Sequence, residues 1–168
     1  MALSMYQASV PVLINVLNNL KGILGKGAAY AEVKKLDAGV LPNLRLFPDM
    51  LPLAKQVQIA SDSAKGIARL AGQQPPAFED NEKTLPELIA RVQKTIDYLK
   101  TLNAAQIDGS EDKEIVLKIG SIEVKFTGQN YLLGFALPNF YFHVTTAYAL
   151  LRHNGVEIGK QDYLGQMR

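Results

Sequence analysis

Apolar side chains recur along this chain with helical spacing in four separate stretches. Over residues 5–24, Met5, Ser9, Val12, Leu13, Val16, Leu20 and Leu24 fall on one stripe, which predicts a first helix with one buried face. Pro11 lacks a backbone donor, so it is expected to kink that helix or mark its true first turn. Gly25 and Gly27 punctuate, and residues 28–35 are expected to form a further short helix. Residues 37–48, with Gly39, Pro42 and Pro48, read as a connection. A second helix is predicted over 49–71, where Met50, Leu53, Val57, Ala60, Ser61, Ala64, Ile67, Ala68 and Ala71 share a face. Asp49 is its expected N-cap and Gly72 its stop.

After a linker over 73–81 containing Pro75 and Pro76, Thr84 and Glu87 form a capping box around Pro86 and open the third helix. Leu85, Leu88, Val92, Ile96, Leu99 and Leu102 are its buried stripe; Arg91, Lys94, Asp97 and Lys100 opposite read as a solvated face. Residues 108–113 are polar loop. The period then changes to two: Ile115, Leu117 and Ile119, then Ile122, Val124 and Phe126, alternate with polar or smaller positions around Gly120-Ser121. That is a β-hairpin on a two-residue turn, which needs helices or a partner chain to lie on. A fourth helix is predicted over 127–154, bent at Pro138 and ended by Gly155, with Leu132, Ala136, Asn139, His143, Thr146, Ala147 and Leu150 inward. The tail from 156 onward reads as irregular. The sum is an all-α four-helix bundle with a small β-hairpin inserted before the last long helix, as one domain over 1–168.

Composition narrows the chemistry. The 168 residues contain no cysteine and two histidines, which excludes thiolate metal sites, disulfides, cysteine nucleophiles and three-histidine sites within one chain. The net charge of +2, with basic residues scattered, gives no footprint for nucleic acid. No apolar run approaches the ~20 residues that span a bilayer, and the N-terminus lacks the pattern of a targeting segment. The default reading is a soluble cytoplasmic protein of bacterial type. Phosphate loops, nucleophile elbows, His-Glu-x-x-His and EF-hand patterns are absent, and no cofactor is called for.

The informative cluster lies on the fourth helix. Asn139 and His143 are four apart and stack on its apolar face, so both must find buried partners. Ser9, Ser61, Thr146, Tyr6, Tyr131 and Tyr148 are the expected candidates. His143 is then a ligand, a catalytic base or a satisfied structural histidine. On the second helix Val57 and Ser61 stand where a bundle metal site wants His or Glu, and Gln56 and Gln58 flank Val57 on either side without pointing straight inward. The expected pocket is Asn139, His143, Ser61, Thr146 and Gln58, with His143 the catalytic candidate and no metal. Asp49 could approach its mouth but is read as a cap. His153 beside Arg152 suits a helix C-terminus. Of Phe135, Phe140, Tyr141, Phe142 and Tyr148, some must face away from the bundle, toward a subunit interface or the hairpin.

Asn139-x-x-x-His143, followed by Leu150-Leu151-Arg152 and Gly155, resembles the last helix of DinB/YfiT-like proteins, where the pattern is His-x-x-x-His. With Phe47-Pro48-Asp49-Met50 and residues 134–143, the chain is similar to a bacterial domain-of-unknown-function branch of that superfamily over most of residues 1–165. The resemblance implies a DinB-type bundle, often dimeric. Some members hold a metal on three histidines, one on the second helix and two on the fourth, and transfer thiols. Only the second fourth-helix histidine maps, onto His143; the first maps onto Asn139, and the second-helix histidine falls closest to Val57 and Gln58. Tight divalent binding is therefore not expected. Three functions follow as alternatives: a metal-free polar pocket for a small-molecule ligand, a metal-dependent thiol S-transferase, or a homodimer whose interface is its function.

Overall fold

The computed structural model describes residues 3–166. Ser4 starts the first helix: its hydroxyl accepts from the Gln7 backbone while the Gln7 side chain accepts from the Ser4 backbone. From there α1 runs unbroken over Met5–Val33. Pro11 lies inside it on an exposed position, so it neither opens nor ends the helix. The break expected at Gly25 and Gly27 is also absent, and the separate helix over 28–35 is the last part of α1. Packing explains this. Gly27 is buried, and a Cβ there would sit 3.3 Å from both Leu151 and Leu85, so the missing side chain lets neighbouring helices close in on α1.

The connection that follows contains a 3-10 turn, Leu41–Asn43. The second helix starts later than expected. α2 covers Leu53–Lys65 with Pro52 at the cap position, so Asp49 lies upstream in the turn and does not cap it. A 3-10 turn, Gly66–Arg69, extends α2. α3, Leu85–Leu99, opens on the Thr84–Glu87 capping box as its sequence predicts. After a single turn at Ala104–Ile107, β1 (Glu114–Ile119) and β2 (Ile122–Thr127) pair antiparallel, with Ile119 opposite Ile122 around Gly120-Ser121.

The last long helix is continuous from Gly128 to His153 but changes pitch. Gly128–Asn130 is helical, Tyr131–Ala136 is π-helical, and α4 covers Leu137–His153. Pro138 would clash with the carbonyl four residues back in a regular helix; the chain instead widens into a π turn just before it. Gly72 and Gly155, at φ 74° and 94°, end the two helices where expected.

The residues beyond are not irregular. α5, Lys160–Leu164, lies on α1, where Asn19 donates to the Tyr163 carbonyl and Lys26 meets Asp162 at 2.7 Å. Residues 167–168 of the expected tail lie outside the described residues. The core is one cluster drawn from all four long helices, with Phe140, Leu17, Leu20, Val57, Ala60, Leu88 and Val92 fully buried. Inward residues of the hairpin, Ile115 and Phe126, cover its near end. The result is a four-helix bundle with one two-stranded insertion, as the periodicity predicts.

Candidate functional site

α2 is the hub. One side meets α4 through neutral polar groups, and the other meets α3 and the 73–83 loop through charges. The α4 side is the one the sequence singles out.

His143 Nδ1 lies 2.7 Å from Gln56 Oε1. Gln56 Nε2 already donates to the Leu51 carbonyl at 3.0 Å, so Oε1 is the acceptor and His143 carries its proton on Nδ1. The lone pair of the neutral ring is then on Nε2, which has no partner among the described residues. Burial holds the imidazole below its ordinary pKa. Two turns of α2 further on, Asn139 Nδ2 donates to Ser63 Oγ at 2.7 Å, and Ser63 donates to the Ile59 carbonyl at 2.8 Å. Asn139 keeps one amide N–H and its carbonyl oxygen unspent.

The expected partners are therefore not the ones used. Ser9 turns back to the Met5 carbonyl of its own helix. Ser61 is fully buried and bonds Thr95 Oγ1 on α3 at 2.6 Å. Thr95 itself donates to the Arg91 carbonyl, so Ser61 is the donor of that pair. Thr146 donates to Phe142 of its own helix. Gln56 and Gln58 are both buried, against the expectation that neither points inward. Only Gln56 faces His143; Gln58 faces away and donates to Glu82 at 2.9 Å. Of the five pocket residues, Asn139 and His143 share the α2–α4 seam, Thr146 lies one turn beyond His143, and Ser61 and Gln58 belong to the α3 side. Tyr131 is buried under the hairpin. Tyr148 packs edge-on with Tyr163 at 6.0 Å.

Asn139 opens onto a cleft of about 560 Å³. Ile59, Asp62, Ser63, Arg69 and Gln74 form one wall, Val116, Leu117 and Lys118 of β1 a second, and Tyr131, Phe135 and Asn139 the third. Gly66 shapes its deep end: a Cβ there would come within 2.6 Å of the Tyr131 hydroxyl and 3.0 Å of Arg69 Nη1. Burial raises the Tyr131 pKa, and the neighbouring Arg69 guanidinium opposes that rise. Phe126, Tyr131 and Phe135 stack at 5.6 to 6.2 Å, so the hairpin covers Phe135. Phe142 points out, 56% exposed. His143 does not line the cleft.

The α3 side overturns one expectation. Arg91 is not on a solvated face; its side chain is 1% exposed. Its Nη2 meets Asp62 at 3.1 Å and Asp80 at 3.0 Å, and its Nη1 meets Glu82 and the Glu79 carbonyl at 3.0 Å. Lys65, 3% exposed, pairs with Asp62 at 2.8 Å, donates to the Pro76 carbonyl, and lies 3.7 Å from the Phe78 ring centroid. Lys55 completes the set at 2.7 Å from Asp80. Three cations thus meet three carboxylates, and the 73–83 loop is lashed over α2 and α3. A signal for this existed in the sequence: Asp62 and Lys65 share a helix face, and the linker carries Phe78, Asp80 and Glu82.

Metal chemistry fits poorly here. Gln56 Oε1 is spent on His143, the Asn139 amide on Ser63, and one imidazole lone pair does not make a tetrahedral or octahedral site. Among the described residues no three His, Cys, Asp or Glu side chains are grouped to hold an ion, and no helix is long and apolar enough to cross a membrane.

Comparison with known proteins agrees with this architecture. The family model described as "Domain of unknown function (DUF1993)" matches residues 5–164. The crystal structure of a DinB family member protein from Shewanella denitrificans is 43% identical, with a TM-score of 0.86, over 96% of this chain and 92% of that one. No curated protein matches. With the bundle, the hairpin before the last long helix and the matched span in agreement, the chain belongs to the DUF1993 family and is a DinB-like domain of unknown function.

Proposed function

We propose that this protein binds a small organic molecule, without a resident metal, in the cleft between α2, β1 and the start of α4. The observation that carries this reading is the cleft itself. Its volume of about 560 Å³ lies within the range of small-ligand pockets, roughly 300–1,000 Å³. It combines an apolar floor with a few converging polar groups, as such pockets do. Asn139 is the contact residue on α4, with an N–H and a carbonyl left for a ligand. His143 acts as a positioning residue: its bond to Gln56 fixes α4 against α2 and so sets where Asn139 stands.

A fragment screen read by 1H–15N correlation spectra tests this. Hits are expected to shift the amides of Ser63, Arg69, Lys118 and Asn139, and to lose most of their effect in Asn139→Leu. Hits that map elsewhere on the surface would refute the reading. Elemental analysis of protein grown with supplemented metals is the companion measurement. Metal far below one per chain is expected; near-stoichiometric metal lost in His143→Ala would restore the thiol-transferase alternative.

A second reading rests on Phe142, exposed on α4 beside His143. A homodimer would cover it. Light scattering should then report a dimer that Phe142→Ser converts to monomer; a monomeric wild type removes this reading.

A further inference from the structure

The cleft has an unbalanced charge. The described residues form seven ion pairs, and neither Arg69 nor Lys118 takes part in one. Both line the cleft. Arg69 Nη1 meets only the Gly66 carbonyl, at 3.4 Å, beside the Tyr131 hydroxyl. Lys118 stands opposite Glu123 across the hairpin but outside ion-pair distance. The one carboxylate in the lining, Asp62, turns its Oδ1 to Lys65 and Arg91. Those two belong to a cluster in which three cations and three carboxylates already cancel. The positive charge of Arg69 and Lys118 is thus left for something outside the chain.

The rest of the lining limits what that is. Ile59, Leu117, Tyr131 and Phe135 make an apolar floor, with the two rings nearly parallel, 6.2 Å apart at 28°. A flat apolar body is complementary to such rings. A guanidinium without a carboxylate partner is a ready fork for a carboxylate or phosphate, and the ammonium adds a second charge. The free N–H of Asn139 supplies a neutral donor at the α4 wall.

We propose that the cleft takes an amphipathic organic anion, a carboxylate or phosphate monoester on a flat apolar body. The acid group sits against Arg69 and Lys118, and the body lies over Tyr131 and Phe135. This deepens the small-ligand reading and rests on it.

The test titrates the full chain with phenyl phosphate, 3-phenylpropionate, the neutral 3-phenyl-1-propanol and inorganic phosphate, followed by 1H–15N spectra. At least one of the two aromatic acids should saturate, with shifts at Arg69, Lys118 and Asn139. Which acid does so distinguishes a phosphate from a carboxylate ligand. The alcohol and inorganic phosphate should each bind at least tenfold more weakly. Arg69→Gln should weaken the acid at least tenfold. Because Arg69 packs against Tyr131, the exposed Lys118→Glu is a second variant whose fold is not at stake, with a severalfold loss expected.

Equal binding of the alcohol in the cleft would overturn the anion inference and leave the small-ligand reading standing. Equal binding of inorganic phosphate would overturn the amphipathic part. Failure of every probe to saturate in the cleft, together with a fragment screen that finds no hit there, would overturn both readings.

Discussion

The two long flanks of α2 solve the same problem in opposite ways. Toward α4, buried polar groups are neutral and satisfied pairwise: Gln56 with His143, Ser63 with Asn139. Toward α3, they are charged and satisfied as a network in which Arg91 alone reaches three carboxylates. Neutral pairs cost little to desolvate and return about 1 kcal/mol each. Buried charges are expensive unless every partner is present. The α4 flank is therefore adjustable, and the α3 flank is an all-or-none latch. That a cleft opens on the adjustable flank follows from this division.

The largest effect should come from the latch. Arg91→Met strips the shared cation from Asp62, Asp80 and Glu82 and should cost about 3 kcal/mol, as broken buried ion pairs do, read by urea unfolding. Limited proteolysis should then cut within residues 73–83. A cost under about 1 kcal/mol would mean that these acids rehydrate freely, and the contrast between the flanks would fail. Next comes Gln56→Leu, which leaves the His143 Nδ1–H without its acceptor and should cost about 1–3 kcal/mol. His143→Phe added to it should restore part of the loss in a double-mutant cycle. An additive result would mean that the bond does not hold the seam.

Acid should separate the flanks. The folded-state pKa of His143 is lowered by burial, so the unfolded chain takes up its proton first. Stability from the seam is full above pH about 6.5 and is lost as pH falls through the lowered folded value. Asp80 acts in a lower window. Burial pushes its carboxyl up, but hydrogen bonds and charge from Lys55 and Arg91 outweigh that and leave it below its ordinary value. Its contribution is present above pH about 4 and is lost as pH falls through that lower folded value. Unfolding curves between pH 7 and 5 should weaken in the wild type and weaken less in His143→Phe; equal slopes would refute the assignment. The smallest change is expected outside both flanks. The Lys125–Glu114 pair is over 60% exposed on each side, so Lys125→Ala should stay within about 0.5 kcal/mol of wild type.

What was legible in the sequence was whatever a local pattern decides. Thr84 and Glu87 mark a helix start within four residues, Gly120-Ser121 sets the hairpin register, and the apolar stripes set four helices. What was hidden depends on neighbours far along the chain. Gly27 looks like a break until Leu151 and Leu85 close over it. Arg91 sits on the outer face of α3 by periodicity and is buried only because the 73–83 loop folds back across it. Asn139 and His143 were visible as a buried polar pair, but their partners depend on the rotation of α2, which brings Gln56 and Ser63 to α4 and sends Ser61 to Thr95. The cleft was not legible at all, since it needs the hairpin laid beside α2.

The π turn at Tyr131–Ala136 has a consequence for how the chain tolerates changes in length. It stores one residue more than an α turn of the same span would. Removing any one residue there would let the segment relax to regular pitch and rotate all of α4 by about 100° relative to the hairpin. Asn139 and His143 would leave α2 together, while hydrophobic content and helix propensity stayed almost unchanged. The spacing between the hairpin and α4 is thus counted in whole residues, and a single deletion is a larger event for this protein than most substitutions.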